Sequence, residues 1–211
     1  MSRGVSSTTS LRYYAKTEGR TLEMLWVESF KDVLPALERG EAEIASAAVT
    51  ITEARKERFG FSSSYFPSQL VLVQRGSKVS KDLASLSGSR IGVLAGSTSL
   101  EALSGVDVEI VYAENTYELY QAVVDGKTDG AVTATARALL LLQDFEPLDI
   151  SLHLGEKEEF GFAFVKGSPF RRFPERAHRQ DQVFGYLLPP SGNLSGVQSR
   201  RDRASGLSLD R

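Results

Sequence analysis

Short apolar segments alternate with amphipathic ones along most of this chain. The strand-like segments read EIASAAV, SQLVLVQRG, RIGVLAG, VEIVYA and DGAVTA, and the segments between them include TYELYQAVVDG and TARALLLLQDF. Alternation of strands with helices predicts parallel sheets with helices packed on their faces. The sequence therefore predicts an α/β fold, in which KDLASLSG and STSLEALSG also form helices and HLGEKEEFGFAFVKG ends the pattern as a strand.

The N-terminal part follows the same plan. Residues 11–16 are typical of the end of a helix closed by Gly19, and residues 21–27 favour a strand. The next helix should end at Gly40 and hold Pro35 in its first turn, where a missing N–H costs little. Its buried stripe follows helical spacing and consists of Phe30, Val33, Leu34 and Leu37. We expect the polar segment TITEARKERFGFSSSYF to be irregular.

Two stretches share one pattern: a helix, a glycine, two residues, an acid and a small-residue strand. Gly40 with Glu43 matches Gly126 with Asp129. A glycine that caps each helix explains the match without any repeat. The alternative is that the chain folds into two similar lobes.

Composition narrows the functional classes. The 211 residues are 41% hydrophobic and 25% charged, and the net charge of −2 gives no reason to expect nucleic acid or an anionic membrane as partner. Cysteine is absent and the histidines, His153 and His178, lie far apart, so we expect no metal and no cofactor. We also expect no membrane span, which needs about 18 apolar residues, and see no secretory signal.

The segment after the second strand carries a recognisable pattern. TITEARKERFGFSSSYF is preceded by LPALERGEAEI and followed by RIGVLAGSTSLEAL. These motifs, in this order, resemble the bacterial extracellular solute-binding proteins of family 3, and the resemblance covers residues 11–169. It implies a periplasmic-binding-protein fold of type II, in which two α/β lobes close around a small polar ligand.

The resemblance also implies where the ligand lies. The first Thr and the Arg of T-x-T-x-x-R hold the ligand's carboxylate in this family, and they correspond to Thr50 and Arg55, with the backbone of Ala48 nearby. A guanidinium presents a rigid fork of donors that matches a carboxylate. The alternative is that Arg55 is one surface charge among those of EARKER.

The turn AGSTS is the second expected anion contact. Ser97, Thr98 and Ser99 stand between a strand and a predicted helix, where free N–H groups attract an anion. They are also ordinary helix caps. Tyr65 is expected to line the cleft, and Thr133 completes the set of ligand-binding candidates.

One departure from the family concerns the ligand's ammonium group. Amino-acid binders of the family place an Asp after a later strand, and in DGAVTATA that position is Ala134, flanked by Thr133 and Thr135. This departure puts an α-amino acid ligand in doubt and favours a polar anion without an ammonium.

Both ends of the chain differ from the family pattern. The family's first strand has no counterpart here, which predicts an incomplete lobe 1 and a truncated N-terminus. From Arg171 the composition changes, and codons for residues 174–196 shifted by one base can encode a sequence close to the family's C-terminus. We therefore expect a frame-shifted, disordered tail, the alternative being a natural disordered tail. The expected divisions are residues 1–69 as partial lobe 1, 70–165 as lobe 2, and 166–211 as a strand remnant and tail.

The resemblance implies a monomeric, non-enzymatic periplasmic protein. It would bind a small polar, carboxylate-bearing solute as the substrate-binding component of an ABC importer, with an ABC permease as partner, or as a sensor module. Two alternatives stay open: a similar domain of a membrane-bound lytic transglycosylase or other enzyme, and a gene product without function.

Overall fold

A computed structural model describes residues 7–76, 80–168 and 170. Its strands are β1 (Ile44–Thr50), β2 (Phe59–Phe61), β3 (Phe66–Arg75), β4 (Arg90–Leu94), β5 (Glu109–Ala113), β6 (Gly130–Ala134) and β7 (Leu148–Val165). The α-helices are α1 (Ser7–Thr17), α2 (Val33–Glu38), α3 (Glu53–Arg58), α4 (Thr116–Val124) and α5 (Thr135–Leu141). Short 3-10 helices span Phe30–Asp32, Ala84–Leu86, Thr98–Leu103 and Leu142–Asp144. The expected α/β class is confirmed.

All seven strands belong to one mixed sheet. The order is β1-β7-β3-β6-β4-β5, and β2 also pairs with β7. Among the described residues, the parallel pairs are β4 with β5 and β4 with β6, because crossovers of the strand–helix–strand type connect these strands. The other pairs are antiparallel, so the expectation of parallel sheets holds for one part of the molecule only.

Two long strands connect the predicted lobes. β3 has 10 residues and β7 has 18. Residues 148–160 of β7 pair with β3, and residues 160–165 pair with β1 and β2. These six residues, which we had placed with lobe 2, thus lie against strands that we had placed in lobe 1. The division of the chain into lobes stays a prediction.

Residues 21–27 do not form the expected strand. They are irregular, and no N–H group of theirs donates to a backbone carbonyl in the described part of the chain. β1 is the edge of the sheet, and a groove of about 610 Å³ separates it from this segment. Alternating side chains favour an extended backbone, but a strand also needs a hydrogen-bonding neighbour.

Three other short segments differ from expectation. KDLASLSG and STSLEALSG contain only the 3-10 helices Ala84–Leu86 and Thr98–Leu103, because so few residues between serines and glycines cannot sustain an α-helix. The segment expected to be irregular contains α3 and β2. α3 forms where Thr52 caps a run of good helix formers.

The helix ends before β1 agree with the sequence. Gly19 and Gly40 have φ angles of 66° and 70° after α1 and α2, as expected of glycines that end helices. Pro35 lies in the first turn of α2. These helix boundaries are confirmed.

One apolar cluster draws on both predicted lobes. It combines Phe30 and Leu37 from the N-terminal part with Val71, Leu119 and Ala131 from the C-terminal part. All five are nearly inaccessible to solvent. The two parts therefore share a core as well as a sheet.

No helix in the described ranges is long and apolar enough to cross a membrane. The expected frame-shifted tail, residues 171–211, lies outside the described residues, as do residues 1–6.

Candidate functional site

Arg55 joins the two predicted lobes. It lies in the first turn of α3, where the Thr52 side chain accepts a hydrogen bond from its amide at 3.2 Å. Arg55 Nη1 donates to the Thr50 carbonyl at 2.8 Å, and Nη2 donates to the Gly96 carbonyl at 3.0 Å. The side chain therefore brings the motif Thr50 and the turn that begins at Gly96 together.

The Arg55 guanidinium makes no ion pair within the described part of the chain. Its side-chain hydrogen bonds reach backbone carbonyls only. Burial lowers the pKa of Arg55, and the charges of Glu158 and Glu101 raise it. A half-buried cation held only by neutral acceptors attracts an anion, since paired charges tolerate burial better than single ones.

Glu158 is an acid within hydrogen-bond reach of the Thr50 hydroxyl. The distance from Thr50 Oγ1 to Glu158 Oε2 is 3.5 Å. Glu158 lies opposite Ser68 where β7 and β3 pass from one part of the molecule to the other. The sequence did not reveal this residue because GEKEEF presents three glutamates with nothing to separate them.

Arg137 is a second cation at the same junction, and sequence reasoning missed it. It extends from α5, and its Nη2 donates to the carbonyls of Ala47 and Ala48 in β1, each at 3.2 Å. Its guanidinium lies 4.7 Å from the centroid of the Phe30 ring, a distance typical of a cation–π contact. A single cation in the otherwise apolar helix TARALLL was the available signal.

Arg55 and Arg137 lie close enough to influence each other's charge. Burial is the main cause that lowers the pKa of Arg137. Tyr120, Tyr65 and Glu158 raise it, and the charge of Arg55 lowers it further. The junction thus holds two cations with Glu158, which acts on both, and Glu101, which acts on Arg55.

The backbone at Ala48 is strained. Its φ of 51° is the one positive value at a non-glycine residue among the described residues. The pairing of β1 with β7 changes register between Ala45 and Val49, so Ala48 lies in a bulge. A left-handed alanine costs about 1–2 kcal/mol. The carbonyl of this same residue accepts a hydrogen bond from Arg137. Strain of this kind is common at functional sites.

The AGSTS turn meets Arg55 through Gly96. Within the turn, the amide of Ser97 donates to the Leu94 carbonyl at 3.1 Å and the amide of Ser99 donates to Ser97 Oγ at 3.3 Å. Thr98 and Ser99 are buried. Two of the amides that we had expected to face an anion are therefore already engaged within the turn.

Thr133 is buried and Tyr65 is half-buried beside this junction. The ring of Tyr65 packs on Phe162 with centroids 4.8 Å apart. Burial raises the pKa of Tyr65, and the Ala48 backbone and Arg137 oppose that shift. Thr133 lies on β6 and is 1% exposed. It lies beside Tyr120, whose pKa burial raises to about 12.

Contacts at the 3-10 helix Phe30–Asp32 hold the two parts together on one side. The Phe30 amide donates to the Glu114 carbonyl at 3.1 Å, and Lys31 Nζ lies 2.8 Å from Glu114 Oε1. With Arg55 and Arg137, these contacts join the two predicted lobes in the described structure.

Comparison with known sequences identifies the family. The sequence profile of the bacterial extracellular solute-binding proteins, family 3, matches residues 7–125. The amino-acid-binding protein AabA of Dichelobacter nodosus is 26% identical over 170 residues, which cover 76% of this chain and 66% of that protein. The glutamine-binding protein GlnH of Bacillus subtilis is 30% identical, over 65% of this chain and 54% of that protein.

An enzyme is among the relatives. The membrane-bound lytic murein transglycosylase F of Aeromonas salmonicida is 30% identical over 72% of this chain, but the match covers 32% of the enzyme. The chain thus spans about two-thirds of AabA and less of the other two relatives.

Solved structures confirm the type II periplasmic-binding-protein fold. The holo arginine-binding protein ArgBP of T. maritima has a TM-score of 0.71 at 24% identity, over 75% of this chain and 71% of that one. ArtJ of Geobacillus stearothermophilus, an arginine-, lysine- and histidine-binding protein, has a TM-score of 0.71 at 22% identity, over 81% and 77%. This chain belongs to the bacterial extracellular solute-binding proteins of family 3.

Proposed function

We propose that this protein binds a small amino acid between its two lobes, without converting it, as the substrate-binding component of an ABC importer or as a sensor module. The observation that carries the proposal is the meeting of Arg55, Thr50 and Glu158 at the junction of β3 and β7. An α-amino acid has a carboxylate and an ammonium, which match a guanidinium and a carboxylate. The names of AabA and GlnH support this ligand class.

Glu158 supports an amino-acid ligand, which the sequence had put in doubt. Ala134, which takes the place of the family's Asp, is 2% exposed and offers no charge. Glu158 is half-buried and lies near both Thr50 and Arg55. We assign the pairing of the ligand's ammonium to Glu158. This residue lies on β7, whereas the family's Asp position, Ala134, lies at the end of β6.

Isothermal titration calorimetry with single amino acids tests this function. The Arg55→Gln substitution should weaken the tightest-binding amino acid by about 10- to 100-fold, because a hydrogen bond to a charged group contributes about 1.5–3 kcal/mol. Arg58→Gln is the matched control, since Arg58 lies on the same helix and pairs instead with the exposed Glu38. Equal affinities for the two variants would remove Arg55 from the site, and no binding by the unmodified chain would refute the function.

The second candidate is a solute-binding domain attached to a lytic transglycosylase. The match to transglycosylase F favours this second candidate, because the sequence identity of that match, 30%, equals that of the match to GlnH. A domain of this kind would bind fragments of peptidoglycan in place of free amino acids. Calorimetry with soluble muropeptides separates the two candidates, and binding of muropeptides alone would favour the second. Export to the periplasm and pairing with an ABC permease belong to the first proposal.

A further inference from the structure

The junction between the lobes contains more positive charge than a neutral amino acid needs. Arg55 and Arg137 both reach across it, and both donate only to backbone carbonyls in the described ranges. Glu158 is the acid that acts on both of them. A zwitterionic ligand would leave one of the two cations uncompensated, and an unpaired buried charge is costly.

The donors of Arg137 are only partly used. Its two hydrogen bonds both start from Nη2, so Nε and Nη1 have no hydrogen-bond acceptor among the residues that the structure describes. The Phe30 ring holds one face of the guanidinium at 4.7 Å. A guanidinium fixed in this way is preorganised for a planar anion, which reduces the entropy lost on binding.

We infer that the ligand is an acidic amino acid, with a carboxylate on its side chain as well as at its α-carbon. This inference rests on the proposed function and adds the ligand class. Arg55 and Thr50 take the α-carboxylate, Glu158 takes the ammonium, and Arg137 takes the side-chain carboxylate. The charges then balance: two carboxylates and one ammonium meet two guanidiniums and one carboxylate.

A purely structural role for Arg137 would have a different consequence. Its bonds to Ala47 and Ala48 support the bulge of β1, and their loss would weaken every ligand alike. A ligand contact would instead change the preference between acids and their amides. The ratio of the two affinities therefore separates the roles.

The experiment is calorimetry of the purified chain with glutamate, glutamine, aspartate and asparagine. We expect an acid to bind at least about tenfold more tightly than its amide, as a charged hydrogen bond provides. Arg137→Gln should bring that ratio close to one. Arg75→Gln should leave the ratio unchanged, because Arg75 Nε donates to the Val123 carbonyl at 3.1 Å, in a similar backbone contact that joins β3 to α4.

Each other result has a distinct meaning. If an amide binds the unmodified chain as tightly as its acid, the inference is overturned and the proposed function stands. This comparison uses the unmodified chain, so it does not depend on the folding of any variant. A ratio that survives in Arg137→Gln, or in the equally uncharged Arg137→Met if the first variant does not fold, also overturns it. Binding of none of the four, together with none of the other amino acids, would refute the proposed function itself.

Discussion

Gly96 lies at a close approach between the two predicted lobes. Its φ is 78°, and a Cβ added there would lie 2.8 Å from the Cα of Lys31. Alanine would therefore meet both a strained backbone and the main chain of the other part. We expect Gly96→Ala to lower the free energy of unfolding by about 2–4 kcal/mol, of which about 1 comes from the left-handed conformation. Urea unfolding followed by circular dichroism measures this loss.

Gly88 provides the matched control for this substitution. Its φ of 73° is nearly the same, but nothing lies within 4 Å of an added Cβ. Gly88→Ala should cost only the conformational part, about 1 kcal/mol. Equal losses in the two variants would contradict the close contact between Gly96 and Lys31.

At the same scale, the sequence revealed one of the two arginines at the junction. Arg55 was recognisable because it stands at a fixed distance from Thr50 in a motif. Arg137 and Glu158 belong to no motif, and their importance comes from the folding of α5 and β7 onto β1. Contacts between residues about 90 to 110 positions apart leave no local pattern in a single sequence.

Among the elements, the segment formed by residues 21–27 differs most from its sequence pattern. It contains exposed Met24, Leu25 and Trp26 and faces the unpaired edge of β1 across the groove. Amides without hydrogen-bond partners exchange with solvent quickly. We expect residues 21–27 to exchange within seconds, while residues 70–73 and 131–134, which pair in the centre of the sheet, stay protected. Hydrogen–deuterium exchange with mass spectrometry makes the comparison, and slow exchange in residues 21–27 would show that they are paired after all.

Other elements were predictable because their signals are local. Gly40 and Gly126 end α2 and α4 with φ angles of 70° and 72°, and the residue after each glycine donates to a carbonyl five positions back. This is a recurrent way of ending helices, and it explains the repeated sequence pattern without requiring a duplication. The pairing of strands was not predictable in the same way, because it depends on neighbours that are distant in sequence.

At the scale of the whole molecule, several contacts cross between the two predicted lobes, and the Lys31–Glu114 pair is an exposed one. The hydrogen bond from Lys31 is the main cause that lowers the pKa of Glu114, and the same bond raises the pKa of Lys31. A lowered pKa means that the contribution of Glu114 is present above the ordinary value of about 4.3 and is lost as the pH falls through its folded pKa. The raised pKa of Lys31 keeps that residue charged up to about pH 10 or above.

This pair should therefore favour the closed state and, with it, ligand binding. We expect Lys31→Ala to weaken the tightest-binding amino acid by about two- to fivefold near neutral pH, the range for an exposed ion pair. The effect should shrink in about 1 M salt, where screening is strong. It should vanish as the pH falls through the lowered pKa of Glu114, because the carboxyl then becomes neutral. Arg39→Ala is the control, because the Arg39–Glu41 pair is equally exposed but lies within one part of the molecule. Calorimetry across pH and salt measures both variants, and an Arg39→Ala effect as large as that of Lys31→Ala would mean that closure does not depend on the contact between the lobes.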